Sequence, residues 1–311
     1  MVHSILERVR PEDIRMDPFP HVIVRDAVPR DYYEHLAATY PSLEQVAGPG
    51  ELPSNKAYRL SAADVVENPA IDPAWREFFA YHCSPEFFAE FRAMWGAIVD
   101  RLYPNLEKDF GKPLSQFRTE TRQPGAHNRD DNYRADITLD CQFAMNSPVR
   151  TVSSVRGPHV DRGLKLYAAT FYFRPPGDDS EGGDLELYRF KDPRYHFDPN
   201  RPMDYYFVRN SPYPDLDVIP ADQVECVDRI RYDANVLVFW INTPFSIHGV
   251  TPRGITNVPR RYINFVGECF AGPRHGFFVY RPEKPLWKRA YKRTKRTAQR
   301  LFGSRVASSS R

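Results

Sequence analysis

GPHVDRGLKLYAATFYF, residues 157–173, sets a histidine and an aspartate two apart and then runs into a long apolar stretch. Residues i and i+2 of an extended chain point to the same side. His159 and Asp161 can therefore project together from the mouth of a buried strand. A neutral imidazole and a carboxylate suit a divalent first-row metal, but two donors do not complete a site. HFD at 196–198 repeats the H-x-D spacing. It lies in a Pro-rich stretch with no apolar run after it, so it reads as a surface turn.

Working outward, strand-like segments follow one another from about residue 115. RADITLDCQFAMN (134–146), LKLYAATFYF (164–173), GDLELYRF (183–190), NVLVFW (235–240) and RRYINFVGECF (260–270) are the candidates, separated by turn-rich pieces such as RPPGDDSEGG. The earlier third differs. His21 to Val24 reads as a short strand leading to a helix near Arg30, and 48–75 reads as loop. PEFFAEFRAMWGAIVDRLYPNL (85–106) has Phe88, Phe91, Trp95, Ile98 and Leu102 at helical spacing, bounded by prolines. Helices followed by a run of strands predict an α+β fold, with helices backing a β-sandwich or barrel. Residues 1–115 are the expected support region, 116–280 the core and 281–311 a tail. Within the core, 191–230 is an insertion rich in proline and in aromatics such as Tyr195, Tyr205, Tyr206 and Tyr213, and reads as an ordered lid.

Charge is unevenly distributed. Of 43 basic and 40 acidic residues, eleven basic and one acidic, Glu283, lie in 281–311, so an acidic body carries a basic tail. Aromatic and aliphatic residues interspersed through 284–305 suggest contact with an anionic membrane surface or an acidic partner. No nucleic-acid recognition motif accompanies the charge, so specific nucleic-acid binding is not expected. No window is long and apolar enough to span a bilayer, and the charged N-terminus lacks a signal core. The expected location is cytoplasmic, with peripheral membrane contact through the tail. Cys83, Cys141, Cys226 and Cys269 have no paired spacing and read as separate reduced core thiols.

A third metal donor is available in FSIHGVTPR (245–253), where His248 follows NVLVFW. Two histidines and a carboxylate on one face of an octahedron form the facial triad of non-haem iron(II) oxygenases, with three positions left open. The order HVD, LKLYAATFYF, EGGDLELY, NVLVFW, SIHGV, RRYINF resembles the Fe(II)- and 2-oxoglutarate-dependent dioxygenase superfamily, its prolyl 4-hydroxylase-like branch in particular. The resemblance covers about residues 140–268.

That resemblance implies a double-stranded β-helix core, a jelly roll of cupin-like form. It implies His159, Asp161 and His248 as ligands of Fe(II), with 2-oxoglutarate as cosubstrate and O2 as oxidant. A basic residue on the last core strand would bind the far carboxylate of 2-oxoglutarate. Arg260 and Arg261 are both available, and Arg261 fits the family pattern better. Tyr172 aligns with a tyrosine that in some relatives bonds the same carboxylate, and Lys165 is expected to face the pocket. Because Asp161 retains the carboxylate, hydroxylation rather than halogenation is the implied outcome. The substrate expected is a biosynthetic small molecule or a glycan or peptide intermediate. The alternatives are a non-catalytic jelly-roll binding or sensing module, and a metal-dependent cupin oxygenase that does not use 2-oxoglutarate.

Overall fold

The computed structural model describes residues 2–123, 135–203, 216–269 and 277–278. The basic tail at 284–305 and Tyr205, Tyr206 and Tyr213 of the insertion lie outside the described residues.

Prolines and polar caps start the two main helices. The elements in order are β1 (His21–Arg25), α1 (Arg30–Ala38), α2 (Leu43–Ala47), β2 (Ala57–Leu60), α3 (Ala62–Val65), α4 (Pro73–His82), α5 (Pro85–Leu102) and α6 (Leu106–Phe110). There follow β3 (Thr119–Thr121), β4 (Ile137–Asn146), β5 (Lys165–Tyr172), β6 (Leu185–Phe190), β7 (Val224–Ile230), β8 (Val236–Ile241), β9 (Ile247–Val250) and β10 (Arg260–Glu268). The side chain of Asp72 accepts from the Ala74 N–H ahead of α4, and that of Ser84 from the Phe87 N–H ahead of α5. Each cap satisfies one of the free N–H groups of a helix start, and the proline at N1 has none to satisfy.

The strands form two sheets. The larger, seven-stranded one has the order β1-β8-β5-β10-β4-β2, with β3 pairing parallel to β4. Its other pairings are antiparallel. The smaller sheet is β7-β6-β9, also antiparallel. β1 and β2 come from the region expected to be support, yet they are strands of the larger sheet. β2 and α3 also lie within 48–75, which the composition marks as loop, because Ala57–Leu60 finds the free edge of β4. The end of the expected insertion is β7, whose pairing with β6 makes it part of the smaller sheet.

Alternation along the strands creates two apolar layers. Phe143, Phe171, Phe239, Ile263 and Phe265 face α4 and α5, where Trp75, Phe78, Phe91 and Trp95 pack. The Trp75 ring lies 4.7 Å from Phe143 and 5.1 Å from Phe173, and the Trp95 ring is stacked 5.5 Å from Phe239. Burying each such aromatic contributes about 1.5–3 kcal/mol. On α5 the buried stripe includes Val99, while Ile98 is only half-buried. The opposite face of the large sheet carries Ala144, Ala168, Tyr172, Val238, Trp240 and Tyr262, which meet Leu185 and Leu187 of β6. Three cysteines are buried, but Cys226 is exposed on β7, so it is not a core thiol; all four are free. Among the described residues, no helix is long and apolar enough to cross a membrane.

Candidate metal centre

Two backbone segments bring the donors together. His248 lies on β9, at the edge of the smaller sheet. The alternation argument expects His159 on a strand; it lies outside one and forms a single antiparallel bridge to His248. The two residues exchange both backbone hydrogen bonds, each 2.9 Å. Their rings are 4.2 Å apart between centroids. Asp161, two residues on, reaches the same spot, with its Oδ2 4.0 Å from His248 Nε2. One ligand atom from each of the three lies within 4.8 Å of the others, and all three side chains are buried.

The hydrogen bonds behind these donors orient them. His159 Nδ1–H donates to the Gly157 carbonyl at 2.8 Å, and His248 Nδ1–H donates to the Ser246 carbonyl at 2.9 Å. This assignment leaves Nε2 of both rings as the lone-pair atom, the arrangement found where histidine binds a metal. The Trp240 ring lies 4.7 Å from the His248 ring and supports it. Burial lowers the pKa of both histidines, that of His159 strongly, so both remain neutral donors at neutral pH. Burial opposes ionisation of Asp161 as well, but the cations Lys165 and Arg156 outweigh it. Its carboxyl is held well below the usual range. Lys165 Nζ is 3.1 Å from Asp161 Oδ2, and Arg156 is 3.9 Å from Oδ1. Two neutral imidazoles and one anionic oxygen fit a divalent first-row metal such as iron.

The triad lines a cavity of about 200 Å³ whose wall includes Thr170, Tyr172, Trp240, Arg260, Tyr262 and Asn264. Arg260 is 2 % exposed, and its guanidinium carbon sits 4.9, 5.0 and 4.7 Å from the rings of Tyr172, Tyr232 and Tyr262. Its Nε and the Tyr172 hydroxyl are buried without hydrogen-bond partners among the described residues. Burial pushes the Tyr172 phenol up to about 12, which keeps it a donor. Arg260 Nη1 reaches Asn146 Oδ1 at 3.5 Å, but its Nε is left unpaired and no carboxylate among the described residues neutralises the guanidinium, so an anion in the cavity would be favourable.

Arg261 is not in this cavity. It shares the face of β10 with Ile263 and Phe265, lies 5.5 Å from the Tyr40 ring, and lines a separate cavity with Arg30 and Tyr33 of α1. The expectation that Arg261 outranks Arg260 is therefore corrected: neighbours on a strand face opposite ways. The parity was available in RRYINFVGE. Arg260 shares the parity of Asn264, and Arg261 that of Ile263 and Phe265, but the sequence alone does not say which parity meets the cavity. Lys165 faces the cavity but is bound to Asp161. Arg156, missed in the sequence reading, has no signal beyond its position three residues before His159. The second H-x-D forms a turn: His196 Nε2–H donates to the Phe190 carbonyl and Asp198 accepts from the Asn200 N–H.

No protein-family model matches the chain, and no curated protein does. Among solved structures, the chain is similar to a prolyl-4-hydroxylase of Pseudomonas putida at 14% identity and a TM-score of 0.38, covering 80% of this chain and 92% of that one. It is also similar to prolyl 4-hydroxylases from Phytophthora capsici (10% identity, TM-score 0.44, 89% and 66% covered). A third likeness is to an oxidoreductase of the 2OG-Fe(II) oxygenase family from Burkholderia pseudomallei (12% identity, TM-score 0.39, 90% and 95% covered). Scores and identities this low assign no activity, so the functional reading rests on the geometry of the site.

Proposed function

We propose that the protein is an Fe(II)- and 2-oxoglutarate-dependent oxygenase. It would hydroxylate a C–H bond of a small molecule, or of a glycan or peptide intermediate, and release succinate and CO2. The single observation that carries this reading is a metal-competent triad in the same cavity as Arg260, which has no carboxylate partner among the described residues, and the Tyr172 hydroxyl. The two facing sheets, with the site between them, support the jelly-roll reading of the core.

His159, Asp161 and His248 would hold the iron, the two histidines through Nε2, since their Nδ1–H groups are committed to backbone carbonyls. Iron so held would supply O2 activation coupled to oxidative decarboxylation of 2-oxoglutarate. Arg260 would bind the far carboxylate of the cosubstrate through its planar fork, and the Tyr172 hydroxyl would donate to the same group. Lys165 fixes Asp161 in its ionised state and in one orientation. Trp240 and Tyr262 wall the cavity beside the triad.

Anaerobic titration with Fe(II) and 2-oxoglutarate tests the reading. The chelate is expected to give a weak visible charge-transfer band in the wild type. Arg260→Ala is expected to weaken cosubstrate binding by about 10- to 100-fold, the loss of a charge-assisted pair. Arg261→Ala is expected to leave it unchanged. Iron binding without the band favours a cupin-type oxygenase that does not use 2-oxoglutarate, and no iron binding favours a non-catalytic module.

A further inference from the structure

The cavity of the triad opens into a wider cleft of about 710 Å³, and the two share Arg59, Arg156, Asp161, Lys165 and Asn264. Among the fifteen described residues that line the cleft, Val266 is the one apolar side chain. Small-molecule sites are ordinarily lined mostly by apolar groups with a few polar ones. Here the proportion is reversed, directly beside the triad. An apolar substrate would desolvate these groups without replacing their hydrogen bonds, which is unfavourable at every one of them.

The polar groups are arranged in a row on the inward face of β4 and β10. Asn264 Nδ2–H donates to Gln142 Oε1 at 3.1 Å, and Gln142 Nε2–H donates to Asp140 Oδ2 at 2.5 Å. Asp140 is held in turn by the Ala62 N–H at 3.1 Å and by Arg122 at 3.4 Å. Each amide is thereby fixed in one orientation, with donor and acceptor capacity that the row does not use. Asn264 and Gln142 line the cleft with amide groups that can both donate and accept, as hydroxyl groups require, while Asp140 lies buried behind them and fixes Gln142.

Charge adds a second feature. Lys165 and Arg156 are committed to Asp161 and Asp217, and Arg122 to Asp140 and Glu268. Arg59 is exposed on β2, at the junction of cavity and cleft, and has no carboxylate partner among the described residues. We propose that the cleft takes a hydroxyl-rich small molecule bearing one anionic group, a sugar phosphate or sugar acid. Arg59 meets the anion, and the amides of Asn264 and Gln142 meet the hydroxyls. The inference rests on the oxygenase reading and names the class of its substrate.

Calorimetric titration under argon, with Fe(II) and 2-oxoglutarate bound, tests it without turnover. The probes are glucose 6-phosphate, glucuronate, glucose and decanoate. At least one anionic sugar is expected to bind about tenfold or more tighter than glucose, the gain from one charge-assisted contact. Decanoate is expected to give no heat. Glucose 6-phosphate against glucuronate distinguishes phosphate from carboxylate as the anion. Arg59→Ala is expected to bring the anionic sugars to the level of glucose, Arg59→Lys to restore part of the preference, and Gln142→Leu to weaken neutral and anionic sugars alike. Decanoate binding most tightly overturns the proposal, as does an anionic preference absent from the wild type or intact in Arg59→Ala. Repeating the titration on metal-free protein separates the two readings. Anionic-sugar binding without the iron–2-oxoglutarate band counts against the oxygenase reading alone; a normal band without such binding overturns the cleft assignment.

Discussion

His159 and His248 hold each other's backbone through two reciprocal 2.9 Å hydrogen bonds, and their rings lie 4.2 Å apart. The pair joins a loop to the edge of the smaller sheet, so the imidazoles are positioned before any metal arrives. Pre-organisation of this kind is what a metal site requires of its scaffold.

Removing one of these donors is expected to abolish iron binding. His159→Ala and Asp161→Ala should lose stoichiometric iron in anaerobic equilibrium dialysis. His196→Ala and Asp198→Ala should retain it, since those residues only close a turn. The reverse result would move the site to the second H-x-D.

Lys165→Met tests the support of Asp161. The substitution removes the nearest cation from a buried carboxylate and is expected to cost about 1.5–3 kcal/mol in denaturant unfolding of the metal-free protein at neutral pH. Asp161 has its carboxyl lowered in the folded state, so its stabilising effect is complete above the ordinary carboxyl range and lost as pH falls. The variant should therefore unfold at a higher pH on acidification than the wild type. An unchanged acid midpoint would show that Arg156 suffices.

His82 predicts a separate acid sensitivity. Its Nδ1–H donates to the Phe78 carbonyl, and its Nε2 accepts from the Ile5 N–H, tying the N-terminal segment to α4. Burial lowers its pKa from 6.5 to about 3. The contribution is present in full above the unfolded value and is lost as pH falls through this window, at up to about 1.4 kcal/mol per pH unit. Comparing urea unfolding of wild type and His82→Gln between pH 7 and pH 4, both ~1 unit or more from the folded value, should show a shallower slope in the variant. Equal slopes would place the acid sensitivity in the other buried histidines.

The glycine pair before β6 is expected to be intolerant. Gly182 has φ +72°, and a Cβ there would fall 1.9 Å from the Pro252 carbonyl oxygen. Gly177 has φ +75° with nothing within 4 Å of a Cβ. Gly177→Ala should cost about 1–2 kcal/mol from left-handed backbone alone. Gly182→Ala should cost clearly more in the same unfolding assay, because backbone must also move; equal losses would mean that the turn relaxes freely.

Much of this molecule can be read locally. Apolar runs and turn residues locate β4, β5, β6, β8 and β10, and the caps and prolines locate α5, because these signals act over a few neighbouring residues. The separations among His159, Asp161 and His248, together with the order of the motifs, pick out the triad. β2, β7 and β9 are less visible. Short strands are specified by the partner edge they join, and that edge is distant in the chain.

Residue types and their alternation along each strand are properties of the sequence itself, and so is the choice of three candidate metal donors. Which side of β10 faces the cavity is not. Arg260 and Arg261 are chemically identical, and only the pairing of β10 with β4 and β5, under a helix layer on one side and the smaller sheet on the other, turns Arg260 inward. The same packing gathers Arg59, Gln142 and Asn264 into one polar wall from three strands. A strand carries its two faces in its period of two, but which face meets which layer depends on register and packing between segments far apart in the chain.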